Sequence, residues 1–225
     1  MLARFARVDK ETNKYVKPPS SALTYGTMTW VRANIVLDAG STLARGTTIS
    51  LRYCAVRRQF QDKDAQPGAD ESPVLDYTMV QYRLFSCLAS AFAMHFTGQA
   101  MMRLYAQKQE WVNNNSDIKG KPDVGKLAST ERGPGPEEVN AGADILADLH
   151  ATSCGLKALA SITAGEGLEV CRRACGGHGY SSFSGIGTYY ADYLPTLTWE
   201  GDSYMITQQV ARYVSSAVVF AFPCG

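Results

Sequence analysis

Proline spacing constrains this chain more than any other feature, because it leaves three long intervals free of proline: Pro19 to Pro67, Pro73 to Pro122 and Pro136 to Pro195. A proline inside a helix removes a hydrogen bond and clashes with the preceding turn, so each free interval has room for one long helix. The spacing predicts a first helix over 27–60, with Gly40 and Gly46 weakening its middle by roughly 1 kcal/mol each relative to alanine. A second is predicted over 73–111, where Val80, Leu84, Cys87, Leu88 and Ala91 recur at helical spacing. Apolar residues occupy much of its remaining surface, which suits a helix in the middle of a bundle.

The third helix opens at Pro136 with Glu137 and Glu138 in its first turn, where both proline and negative charge are favoured. Ile145, Leu149, Leu156 and Leu159 mark its buried face, and Gly165 and Gly167 are the candidates for a bend before Leu168, Cys171 and Cys175 resume the stripe. A last helix follows Gly201, with Met205, Ile206, Gln209, Val210 and Tyr213 at suitable spacing. Lys17-Pro-Pro-Ser20 excludes a helix, so residues 1–25 read as extended chain and turn. Residues 113–135, with a run of asparagines and Gly-Pro-Gly, read as a surface loop. The expected fold is all-α, an up-and-down four-helix bundle with a short extended N-terminal segment. No strand pattern follows Thr27, which argues against a dinucleotide-binding βαβ unit.

Charge excludes some partners. With 22 basic and 21 acidic side chains in 225 residues, no net field draws in nucleic acid or an anionic membrane. The apolar run from Ala217 to Cys224 is far too short to cross a bilayer. Six cysteines without a regular framework read as free thiols in a reducing compartment. Cys171, Cys175 and His178 do not close a structural zinc site, which needs four ligands, so no metal is expected.

Two motifs stand out as chemical. Ala174-Cys-Gly-Gly-His-Gly-Tyr180 places Gly176, Gly177 and Gly179 at a helix end, where glycine supplies a left-handed cap and lets another molecule approach bare backbone. It is expected to be a helix terminus and loop. Thr198-Trp-Glu-Gly201 places one carboxylate, Glu200, between an indole ring and a helix start, where it can serve as a base for a carbon-bound proton. Each has a plainer reading, a chain stop for the first and a solvated helix entry for the second.

Their order, with Asp192-Tyr-Leu-Pro-Thr-Leu-Thr-Trp-Glu-Gly-Asp202, Gln208-Gln-Val-Ala-Arg-Tyr213, Tyr25-Gly-Thr-Met28, Val31-Arg32 and Tyr53-Cys-Ala-Val-Arg-Arg-Gln-Phe60, resembles the acyl-CoA oxidases over roughly residues 4–213. The resemblance implies FAD as cofactor and fatty acyl-CoA and O2 as substrates, with Glu200 taking the α-proton. It implies that Arg58 meets the FAD pyrophosphate, that Gln59 and Phe60 line the same cofactor, and that Gly176, Gly177, His178 and Gly179 reach FAD from the neighbouring subunit of a homodimer. Arg32 and Gly201 match positions near the acyl-CoA site. Gln61 stands where the related acyl-CoA dehydrogenases usually carry glycine, which favours an oxidase giving hydrogen peroxide. The dehydrogenase and a helical interaction domain without activity are the alternatives.

A peroxisomal location is also implied, although Phe222-Pro-Cys-Gly225 carries no Ser-Lys-Leu type address. The family's proteins are longer, so residues 1–26 are expected to be the tail of a β-domain and 27–213 the first C-terminal helical domain. From 214 to 225 the chain departs from the expected pattern.

Overall fold

The structure, a computed structural model, describes residues 7–16, 21–61, 63–114 and 137–221. A two-stranded antiparallel hairpin, β1 (Arg7–Val8) and β2 (Tyr15–Val16), precedes the helices. Four long helices follow: α1 (Ser21–Val56), α2 (Thr78–Asn114), α3 (Glu137–Ala174) and α6 (Ser203–Ala221). Two short ones, α4 (Gly176–Tyr180) and α5 (Ile186–Tyr193), lie between α3 and α6. The loop expected over 113–135 lies outside the described residues from 115 onward, and Asn113 and Asn114 close α2.

Contacts between the long helices set their directions. Gly40 meets His95 while Gly98 meets Leu37, so α1 and α2 run antiparallel. Gly46 meets Leu168 and Ser50 bonds the Cys171 carbonyl at 2.9 Å, so α1 and α3 run parallel. Cys154 and Ala158 of α3 pack on Ile206, and Gly155 faces Val210, so α6 runs back along α3. This alternation is the up-and-down bundle that the sequence predicts.

The main core combines Val36, Ala39 and Leu43 of α1, Leu84, Cys87 and Ala91 of α2, and Ala160, Ala164, Leu168 and Cys171 of α3. Its many small side chains let the helices approach closely, and the glycines of α1 serve the same end. A Cβ on Gly40 would lie 2.7 Å from the His95 nitrogen, and one on Gly46 would lie 2.6 Å from Leu168 Cδ2. These glycines are points of contact, whereas propensity alone marks them only as weak points. Gly165 and Gly167 likewise interrupt nothing, since α3 is continuous from Glu137 to Ala174 and Gly167 faces Leu43.

Two further expectations are corrected. The first helix begins at Ser21 and ends at Val56, not at 27 and 60, because Arg58 leaves the helix to bridge Pro73. The second helix is not enclosed: Leu84, Cys87, Ala91, Met94 and Met101 are buried, but Tyr82, Phe85, Phe92 and Phe96 form an exposed strip on the same helix. Its apolar residues make two faces, of which this chain covers one. The last helix continues past Tyr213 to Ala221. No helix among the described residues is long and apolar enough to cross a membrane.

Candidate functional site

Glu200 lies on a tight turn between a 3-10 segment, Leu194–Leu197, and α6. Pro195 stands at the start of that segment, and its carbonyl accepts from both Thr198 and Trp199 nitrogens at 3.0 Å, which curls the chain toward Glu200. Glu200 itself is left-handed, with φ of 57°, and Gly201 follows at φ of 112°. A left-handed conformation costs a residue with a Cβ about 1–3 kcal/mol and persists only where its surroundings enforce it. Asp202 then caps α6, its Oδ1 accepting from the Tyr204 nitrogen at 3.0 Å.

Two buried cations enforce the turn. Arg32 of α1 is 5 % exposed; its Nε donates to the Glu200 carbonyl at 2.9 Å and its Nη1 to Cys154 Sγ at 3.3 Å. Lys157 of α3 is fully buried, and its Nζ donates to the carbonyls of Leu197 at 3.0 Å and Gly201 at 2.8 Å. Burial, with the Arg32 guanidinium nearby, pushes the Lys157 ammonium below its usual pKa range. The same two causes lower His150, one turn before Cys154. Gly201 has no room for a side chain, since a Cβ would lie 2.3 Å from Ile206 Cγ2 and 3.4 Å from Arg32 Nη2.

With its backbone held, the Glu200 carboxylate is left uncommitted: Oε2 is buried and has no hydrogen-bond partner. Nor does the Glu200 nitrogen donate to any group among the described residues. Trp199, about half exposed, opens onto a cavity of about 350 Å³ walled by Ile35, Asp38 and Arg45 of α1 and Tyr189 and Tyr193 of α5. The Tyr193 hydroxyl is buried without a partner, and burial raises its pKa.

Arg58, Gln59 and Phe60 form a separate surface hook beyond the end of α1. The Gln59 nitrogen donates to the Ser72 carbonyl at 3.0 Å, the Ser72 nitrogen to the Phe60 carbonyl at 2.8 Å, and Tyr77 Oη to the Gln59 carbonyl at 2.8 Å. Arg58 Nη1 donates to the Glu71 carbonyl at 2.9 Å. Phe60 is left-handed, with φ of 61°, and presents an exposed ring.

The glycine-rich segment differs from a helix end and loop. Gly176, at φ of 57°, breaks α3, but Gly176–Tyr180 then coils into α4, so only the first glycine needs the left-handed region. Gly179 is required by space: a Cβ there would lie 1.8 Å from the Arg172 carbonyl oxygen. Gly177 faces open space. His178 Nδ1 and Tyr53 Oη share a hydrogen bond of 2.9 Å, which joins α4 to the C-terminal end of α1 and so to the Arg58 hook.

Within one chain, therefore, the glycine-rich segment is not beside the carboxylate. Arg32, which holds Glu200, and Tyr53, which holds His178, are separated by about 30 Å of continuous helix at roughly 1.5 Å per residue. Cys171 and Cys175 lie in the core with Ser50, away from the exposed His178, and no group of metal-ligating side chains occurs among the described residues.

Sequence reasoning missed Lys157. The available signal was its register on the stripe Cys154, Lys157, Ser161, Ala164, Leu168, where a charge interrupts small and apolar residues that are all buried.

Residues 25–215 match the family model for the acyl-CoA oxidase C-alpha1 domain. Peroxisomal acyl-coenzyme A oxidase 1 of Rattus norvegicus is 40% identical over 214 residues, covering 95% of this chain and 28% of the rat protein. Among solved structures, acyl-CoA oxidase-2 of Caenorhabditis elegans, bound with FAD, ascaroside-CoA and ATP, superposes with a TM-score of 0.75 at 35% identity, over 97% of this chain and 29% of that one. Acyl-CoA oxidase 1 of Yarrowia lipolytica gives 0.78 at 30% identity, over 97% and 29%. The chain thus spans between a quarter and a third of the length of the relatives it matches.

Proposed function

The chain belongs to the acyl-CoA oxidase family, and on that premise we propose that it supplies the catalytic base and part of the FAD site of an enzyme that converts fatty acyl-CoA to trans-2-enoyl-CoA. The observation that carries this reading is Glu200: one carboxylate with a buried, unpartnered oxygen, on a strained turn locked by Arg32 and Lys157. Such a base is held ready, and its free oxygen can take the α-proton of a thioester. The uncommitted Glu200 nitrogen can donate to the thioester carbonyl, where negative charge collects as the proton leaves. The chemistry that FAD supplies when bound is acceptance of hydride from the β-carbon and delivery of the electrons to O2 as hydrogen peroxide.

The residues present fit such a cofactor. The Arg58 guanidinium suits a pyrophosphate, and the exposed Phe60 ring offers a flat apolar face beside it. These two and Gln59, together with Gly176, Gly177, His178 and Gly179, share the end of the bundle remote from Glu200. That separation supports a homodimer in which the hook and glycine turn of one subunit serve the base of the other. Arg32 and Gly201 act at the acyl-CoA site through the Glu200 turn, Arg32 by bonding its carbonyl and Gly201 by giving it room. A peroxisomal location follows the naming of the rat relative.

In the complete enzyme, a long-chain acyl-CoA should bleach the flavin absorbance, and air should restore it with release of peroxide. Bleaching that air does not reverse, with reoxidation only by a protein electron acceptor and no peroxide, would make the enzyme a dehydrogenase; a preparation that never binds flavin would leave only an interaction domain. A finer test lies in the hook. Successive residues of an extended segment point to opposite sides, so Arg58→Ala should weaken FAD retention more than Arg57→Ala. Equal losses would mean a general electrostatic effect.

A further inference from the structure

We infer that Lys157 is a positioning residue that sets the conformation of the Glu200 turn through two backbone carbonyls. The inference rests on Glu200 being the base. Lys157 carries a charge into a fully buried position on the stripe of α3 that otherwise packs small and apolar groups. Removing an ammonium from water costs several kcal/mol, and lysine is almost never fully buried without a paired charge. Here both hydrogen bonds go to neutral carbonyls, at 3.0 Å to Leu197 and 2.8 Å to Gly201, while the nearby Asp202 and Glu200 carboxylates favour the charge without bonding it. That is a poor way to stabilise a fold, because an apolar side chain in the same place would avoid the desolvation cost.

What the arrangement achieves is conformational. Leu197 and Gly201 bracket Trp199 and Glu200, and one ammonium pulls both carbonyls toward the same point. Arg32 fixes the carbonyl between them, that of Glu200, from the side of α1. Three constraints from two helices therefore define a turn that closes on Glu200 and Gly201, both left-handed. The Leu197 carbonyl also accepts from Ser203 Oγ at 3.5 Å, which ties the start of α6 to the same point. Lysine suits this task because one nitrogen carries three donors on a long stem. With methionine at 157, the turn loses both ties from α3, and the Arg32 bond alone is left to hold Glu200 in its strained conformation.

The test is a double-mutant cycle on the rate of flavin reduction in the complete enzyme. Lys157→Met keeps the volume and removes the donor. It should leave flavin bound and change KM for acyl-CoA by less than about 3-fold, while lowering the reduction rate by about 10- to 100-fold, the scale of a misplacement near 1 Å. Added to Glu200→Gln, it should cost clearly less than it costs alone, because the proton acceptor is gone and only the Glu200 nitrogen is left to position. Losses that multiply would overturn the inference, as would a single variant with an unchanged rate. If Lys157→Met does not fold, Lys157→Gln, which keeps a donor on a shorter stem, is read through the same cycle. An unaffected Glu200→Gln enzyme would instead remove the base assignment on which the inference stands, whatever Lys157 does.

Discussion

Glu200→Gln in the complete enzyme is expected to bind flavin normally and to be bleached by acyl-CoA roughly 100- to 10,000-fold more slowly, the range that a positioned general base contributes. The substitution keeps the side-chain volume and leaves the features that hold the turn untouched. Arg32 and Lys157 bond backbone carbonyls, not the carboxylate, and Gly201 keeps its tight contact with Ile206. A loss of rate therefore reports the proton acceptor itself. Acyl-CoA should still bind, and the Glu200 nitrogen remains available to its carbonyl. Stopped-flow absorbance of the flavin checks the rate, and a variant within a few fold of the parent would show that another group takes the proton.

Much of this arrangement is legible in the chain because proline and apolar spacing act locally. The proline-free intervals mark α1, α2 and α3, and Trp199-Glu200-Gly201 before an amphipathic run marks both a helix start and a candidate base. What periodicity does not carry is the effect of distant partners. The end of α1 is decided by Ser72 and Pro73, which draw Arg58 to Phe60 into an extended hook. α4 and α5 are too short to show a periodic stripe of their own. The left-handed turn at Glu200 depends on cations from two other helices, and a buried lysine is the residue that a hydrophobicity pattern treats as surface. The two chemical motifs are both present, but their separation along the bundle follows from helix length and direction, which appear only in the assembled fold.

Gly98→Ala is expected to destabilise the bundle although alanine is the better helix former. Propensity favours alanine by about 1 kcal/mol in a helix interior. Against this, the added Cβ would lie 2.6 Å from Leu37 Cα and 2.8 Å from the Leu37 nitrogen. Both atoms belong to the backbone of α1, so no change of rotamer relieves the contact and the two helices must separate. The reciprocal contact is equally close, with Gly40 facing the His95 nitrogen at 2.7 Å and the Ala91 carbonyl oxygen at 3.1 Å. Separation at one therefore loosens the other, along with the buried packing of Val36, Ala39, Ala91 and Met94 between them. Overpacking of a well-filled core costs about 1–3 kcal/mol and occasionally more, and a clash with backbone belongs at the upper end of that range. Net of propensity, a loss of about 2 kcal/mol lowers Tm by roughly 4–8 °C in a chain of this size. Gly155→Ala is the control, because its Cβ would lie 3.3 Å from a Val210 methyl group that can turn aside, and its Tm should stay close to that of the parent. Thermal melts followed by circular dichroism compare the two, and a Gly98→Ala chain as stable as the parent would mean that α1 and α2 do not meet through their glycines.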